Sequence, residues 1–293
     1  MRRLILDCDN TFGIPGCDVD DALALFYLLG CGQALVLGIT TTHGNNQVNQ
    51  VYPNTLKLLE AIGRSDIPVF RGRERDEPGQ NDAASFLAAQ ARQDPGSVWV
   101  VATGSMTNLK AAHGLDPDFF QNLAGISLMG GITAPLHING TILGELNLSS
   151  DAPAALCVLQ NGKNRLISTG NACMTAFFPR EQAEKRLRGG GETGAWLLKR
   201  ISYWFQRERA VFGHDGIYQW DVCAAAALME PEWFDWQETV ISPTVDSLRS
   251  GNLIGGGTAV TVWIPSVRDE SAFTEHIYDV YLKNKFKGGE LTK

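Results

Sequence analysis

The sequence predicts an α/β protein: an open, mostly parallel twisted sheet with helices on both faces, interrupted late in the chain by a helical insertion. Three observations carry that expectation. Short β-branched and leucine-rich runs alternate with longer segments of helical period, the pattern of repeated strand–helix units. The strand-like runs are apolar throughout, as strands buried on both faces are. No repeat, low-complexity tract or Pro/Ser-rich linker divides the 293 residues, so they read as one domain, 1–293, long enough to bury a large core.

The elements follow in order. "RRLIL" is a strand, and "DALALFYLLG" a helix closed by Gly30. "ALVLGITTT" is a strand and "QVYPNTLKLLEAIG" a helix; "IPVF" is a strand and "AASFLAAQARQ" a helix. "SVWVVATG" and "AGISLMGG" are strands with the helical "NLKAAHGL" between them, then "APAALCVLQNG" is helical and "RLIST" extended. From about 177 to 237 the sequence turns helical and aromatic, the expected insertion; "TAVTVWIP" and "FTEHIYDVYLKNKF" return to strand and helix. Ligands of open α/β sheets bind beyond the carboxyl ends of the strands. The polar residues expected there are Asp7 and Asp9, His43 to Asn45, Thr103-Gly104 and Gly130-Gly131.

Bulk properties exclude several classes. A net charge of -7 with no basic stripe argues against a nucleic-acid partner. The six cysteines show no CxxC or zinc spacing and read as free thiols in a reducing compartment. "MRRLILD" is no signal peptide, and no apolar run approaches the ~20 residues of a membrane span. A soluble cytoplasmic protein is expected.

Five aspartates fall between residues 7 and 21, in "DCDNTFGIPGCDVDD". One or two aspartates after a strand serve as turn formers or helix caps. Asp7, Asp9, Asp20 and Asp21 together would repel one another at one strand end, and a bound divalent cation would remove that repulsion. Oxygen-only ligands suit a hard ion, calcium or magnesium. The spacing is not an EF-hand, because Phe12 stands where the turn glycine belongs.

Two enzyme families begin in this way. "DCDNT" resembles the D-x-D-x-T opening of haloacid-dehalogenase-like phosphatases, yet the late acidic pair of that family is missing from "SGNLIGGGTAV". The opening together with "DDALAL" resembles the inosine-uridine nucleoside hydrolases, calcium-dependent N-ribohydrolases with a Rossmann-like fold, although the loop between the carboxylates is longer here. "ITTTHGN", "VATGSMTNL", "SLMGG", "NGTILGELNLSSDAPAA" and "QWDVCAAAAL" extend the likeness from residue 4 to about 228.

That resemblance implies hydrolysis of a ribonucleoside to free base and ribose, a role in nucleoside salvage, a Ca2+ cofactor and a dimeric or tetrameric assembly. It implies Asp9, Asp21, the Thr103 carbonyl and Asp221 as metal ligands, with Asp9 also activating water and Asp7 orienting its neighbours. Asp20, Asn45, Asn139, Glu145 and Asn147 would bind the ribose hydroxyls. Many members carry a histidine before the last metal ligand, assigned to protonating the leaving base. Here Trp220 holds that position. Its π face suits stacking on a nucleobase, and a tryptophan there resembles the purine-specific branch, so purine nucleosides are the expected substrates. A pyrimidine preference and a phosphatase are the alternatives. Trp196, Trp204, Tyr203 and Tyr218 are further aromatics within reach, His214 is a candidate replacement acid, and His43 a candidate pocket residue.

Overall fold

The computed structural model describes residues 1–75 and 77–286; residue 76 and the end of the 1–293 span lie outside the described residues. The chain runs β1 (Arg2–Cys8), α1 (Asp20–Gly30), β2 (Ala34–Thr41), α2 (Val48–Ile62), β3 (Val69–Arg71), α3 (Asp82–Gln93), β4 (Val98–Ala102), α4 (Thr107–Leu115), α5 (Phe119–Asn122) and β5 (Gly125–Met129). It continues through β6 (Leu136–Ile138), β7 (Thr141–Leu143), α6 (Asn147–Ser150), α7 (Ala152–Asn161), β8 (Arg165–Ser168), α8 (Gly170–Cys173), β9 (Phe177–Pro179), α9 (Arg180–Arg188) and α10 (Gly191–Phe212). Last come β10 (Gly216–Tyr218), α11 (Trp220–Met229), β11 (Phe234–Ile241), α12 (Val245–Leu248), β12 (Val260–Val267) and α13 (Glu270–Leu282).

Eight strands form the central sheet in the order β3-β2-β1-β4-β5-β8-β12-β11. Every neighbouring pair is parallel except β11 and β12. The expected open parallel α/β sheet is therefore present. Its period-2 geometry sorts the apolar run of β1 onto two faces. Leu4, Leu6 and Cys8 pack with α1, α11 and α13, while Ile5 packs with α3, α4 and α7. None of these four is more than 1% exposed. A fully buried Leu or Ile contributes about 1.5–3 kcal/mol relative to exposure, so β1 anchors both layers. The chain builds outward from β1 through β2 and β3, then crosses back to β4 on the other side. The carboxyl ends of β1 and β4 thus part at the switch point, where such sheets hold ligands.

Two features depart from the sequence expectation. β11 begins at Phe234, inside the stretch expected to be helical. It is an antiparallel edge strand whose Asp235, Gln237 and Glu238 are exposed, so it lacks the continuous apolar run that marks the inner strands. Within the same stretch α9 and α10 stand between the paired β9 and β10, and α11 returns to pack on α1. The second feature is the β6–β7 hairpin, turned by Asn139-Gly140 with φ of 47° and 81°. Asn-Gly between short apolar strands is a strong hairpin signal, because both turn residues need positive φ.

Candidate active site

β1 delivers two carboxylates at its end. Asp7, fully buried, accepts from Thr40 Oγ1 at 2.6 Å and Asn108 Nδ2 at 2.9 Å. The same Asn108 amide donates to the Thr41 carbonyl at 3.0 Å. Asp7 therefore ties β1 to β2 and to the start of α4, and burial pushes its carboxyl up to about 7. Asp9, equally buried, accepts from the Asn45 backbone N–H and from Asn45 Nδ2. Gly44 makes that approach possible: a Cβ there would lie 2.1 Å from Asp9 Oδ2.

Two helix N-termini bring the other carboxylates. Asp20 and Asp21 form the first turn of α1, and Asp221 lies in the first turn of α11. The positive ends of both helix dipoles favour acidic groups there. Carboxylate oxygens of Asp20, Asp21 and Asp221 lie within 4.8 Å of one another, all three buried. Asp21 also accepts from Thr103 Oγ1 at 2.8 Å and shares a hydrogen bond with Asp9. Burial first, then mutual repulsion, holds the carboxyls of Asp20, Asp21 and Asp221 well above the usual range. Carboxylates crowded and dehydrated in this way call for protons or a cation. Their all-oxygen donor set fits a hard divalent ion. Sequence reasoning kept Asp20 for the ribose; the structure draws it into the same cluster as Asp21 and Asp221.

A cavity of about 300 Å³ opens beside this cluster, at the lower end of the range for small-molecule sites. Asp20, Asn45, Thr103, Glu145, Asn147, Trp220 and Asp221 all line it. Glu145 accepts backbone N–H bonds from Gly131, Leu148 and Ser149 at 2.8–3.1 Å. Asn147 donates to the Met129 carbonyl at 3.1 Å. Asn139 lies elsewhere: it sits exposed at the hairpin turn, and its amide donates to the Phe212 carbonyl at 2.8 Å. Trp204 faces the cavity together with Trp220, whereas Trp196 is core, packed among Phe12, Phe26 and Phe286. Tyr218 leans on Trp220 with ring centroids 5.0 Å apart, and Tyr203 donates to the Cys17 carbonyl. His43 bonds Thr107 at 3.0 Å and does not line the cavity.

The family model for inosine-uridine preferring nucleoside hydrolases matches residues 4–275. The chain belongs to this family. A nucleoside hydrolase is an N-glycosyl hydrolase, and the match sets aside the phosphatase that "DCDNT" suggested. Among its relatives, "Probable uridine nucleosidase 2" of Arabidopsis thaliana is 27% identical over 281 residues, covering 85% of this chain and 84% of that protein. "Pyrimidine-specific ribonucleoside hydrolase RihA" of Citrobacter koseri is 26% identical over 285 residues, covering 88% and 87%. The fold matches a solved "Purine-Preferring Ribonucleoside Hydrolase from Gardnerella vaginalis" with a TM-score of 0.81 at 21% identity, covering 97% of this chain and 99% of that one.

In this nucleoside hydrolase the sequence put only Trp204 of a second cavity wall within reach of the site. Trp204, Arg207, Glu208 and Phe212 all line it from α10. Their spacing of i, i+3, i+4 and i+8 places them on one helix face. That periodicity was available in "WFQRERAVF", but nothing local says which face meets a cavity. His214, singled out in the sequence, lies behind this wall, hemmed by Phe177, Phe212 and Tyr218, with Nε2 3.6 Å from Glu208 Oε2.

Proposed function

We propose that this nucleoside hydrolase cleaves the N-glycosidic bond of purine ribonucleosides in preference to pyrimidine ones, with a Ca2+ ion held by Asp9, Asp21, the Thr103 carbonyl and Asp221. The observation that carries the reading is the convergence of buried carboxylates from α1 and α11, with Asp9 bonded to Asp21 behind them, beside a cavity faced by two indoles, Trp204 and Trp220. When bound, such an ion supplies a water of lowered pKa. Asp9, held in place by the Asn45 backbone N–H and side-chain amide, takes a proton from the attacking water as general base. Asp20, Asn45, Glu145 and Asn147 hold the ribose hydroxyls, fixing C1′ against that water. The indoles offer broad faces to the base, and stacking adds roughly 0.5–1.5 kcal/mol beyond the buried area.

Pyrimidine preference is the second reading, favoured by the names of the relatives, a uridine nucleosidase and a pyrimidine-specific hydrolase. We also infer one domain over 1–293, a cytoplasmic location and a homo-oligomer. Six free cysteines and the absence, among the described residues, of any helix long and apolar enough to cross a membrane support the location. The decisive experiment is a rate panel on inosine, guanosine, adenosine, uridine and cytidine, read by reducing sugar, with and without a chelator. Purine nucleosides turned over faster, and only without the chelator, is the expected result. Faster uridine and cytidine would replace the purine reading with the pyrimidine one.

A further inference from the structure

Breaking the C1′–N bond leaves an electron pair on the base, and a base departs far more readily if a proton meets that pair. Trp220 has no such proton to give. Five carboxyls line the cavity: Asp18, Asp20, Glu145, Glu208 and Asp221. Asp20 and Asp221 belong to the acidic cluster. Asp18 accepts from the Val19 N–H and shares a hydrogen bond with Asp20. Glu145 is held by three backbone amides, which oppose the upward push of its burial and fix it at the end of β5, away from α10. Glu208 is different. It stands on the α10 wall one turn after Trp204, is 5% exposed, and has one oxygen facing the buried ring of His214.

We propose that Glu208 is the acid that protonates the departing nucleobase, with His214 as a positioning residue behind it. This rests on the nucleoside-hydrolase reading above. A base stacked against Trp204 lies on the helix face that also carries Glu208. Four groups face the Glu208 carboxyl. Arg207, on the same helix, donates from Nη1 at 2.6 Å; His214 approaches from the following loop, Asp18 from the loop after β1, and Tyr218 from β10. Burial and the Asp18 charge raise the carboxyl, Arg207 opposes them, and the result is about 7. Burial pushes the His214 imidazole down.

The step balances. The C1′–N bond breaks with its electron pair passing to the base; the Glu208 proton joins that base, leaving a carboxylate. Water oxygen bonds C1′ and its proton passes to Asp9. Solvent then returns a proton to Glu208 and takes one from Asp9, so the sum is nucleoside plus water to ribose plus base.

The test compares inosine with 4-nitrophenyl β-ribofuranoside, whose phenolate leaves without a proton, in the wild type, E208Q and E208D. On inosine, E208Q is expected to lose about 10²–10⁴-fold in kcat, the usual contribution of a general acid. Its loss on the nitrophenyl riboside is expected to stay under about tenfold. E208D, which keeps a proton, is expected to recover part of the inosine rate. The wild-type fall in kcat/KM on inosine above pH 7 should vanish in E208Q. Equal losses on both substrates, or a falling limb that persists in E208Q, would overturn the assignment while leaving nucleoside hydrolysis standing. A wild type that hydrolyses the nitrophenyl riboside but no nucleoside would overturn the reading beneath it.

Discussion

The two walls of the cavity are built on different physical terms. Behind the strand-end wall, buried carboxylates are held by main chain and polar bonds: Asp7 is tied to Thr40 and Asn108, Asp9 to Asn45, Asp21 to Thr103. The α10 wall holds Trp204, Arg207, Glu208 and Phe212 on one helix face, and its charged contacts are side-chain pairs such as Arg207–Glu208 at 2.6 Å. The first wall is suited to fixed chemistry, where a misplacement of about 1 Å can cost a hundredfold. The second is suited to reading the base, because helix-face residues can change one at a time without disturbing the sheet.

The largest effect should come from the strand-end wall. D9A is expected to lower kcat by at least about 10³-fold while the protein still melts cooperatively; a wild-type rate in that variant would break the contrast between the walls. Metal removal acts on the same wall. A chelator should abolish turnover and lower Tm, and added calcium should restore both, because a ligand of the native state alone stabilises it by mass action.

At the two indoles that face the cavity, Trp204 on α10 and Trp220 on α11, the effect should be smaller. W204A and W220A are each expected to lower kcat/KM by about tenfold to a hundredfold, as loss of roughly 1–3 kcal/mol of stacking and burial implies. A loss as large as that of D9A would show that the indoles do more than hold the base.

Stability separates the walls as well. The Glu208 carboxyl is raised from 4.5 to about 7, so the stability it contributes is present below pH 4.5 and lost as pH rises through 7. E208Q has no such loss. In metal-free protein the unfolding free energy of E208Q should gain on wild type by roughly 3 kcal/mol between pH 4.5 and 8, measurable by urea titration at several pH values. The smallest effect is expected at Asn139. N139G should change kcat and KM by under about threefold, since glycine suits its positive φ. N139A should keep that activity yet be less stable than N139G by about 1–2 kcal/mol. A large rise in KM in N139G would return Asn139 to the ribose.

These contrasts track what the sequence made legible. Asp7, Asp9, Asp20 and Asp21 were readable because they crowd where a strand ends and a helix begins, whereas Asp221 came only through the family resemblance. Trp220, adjacent to Asp221, came with it. Glu208 was not readable, and Trp204 could be named only as one of several aromatics within reach, because an amphipathic helix shows its faces but not its neighbours. Asn139 was assigned to the sugar by the family resemblance, while Asn-Gly between "LHI" and "TIL" spelled a hairpin, the turn where the structure places it. β11 was missed because exposed edge positions tolerate polar residues that erase a strand's apolar signature.

The link between Asn139 and the Phe212 carbonyl also matters. It joins the hairpin bearing Leu136, Ile138 and Leu143, which roof the cavity, to the tail of α10. A neutral bond of this kind is worth only about 1 kcal/mol net, so hairpin and helix are fastened to each other far more weakly than the carboxylates are fastened to the sheet.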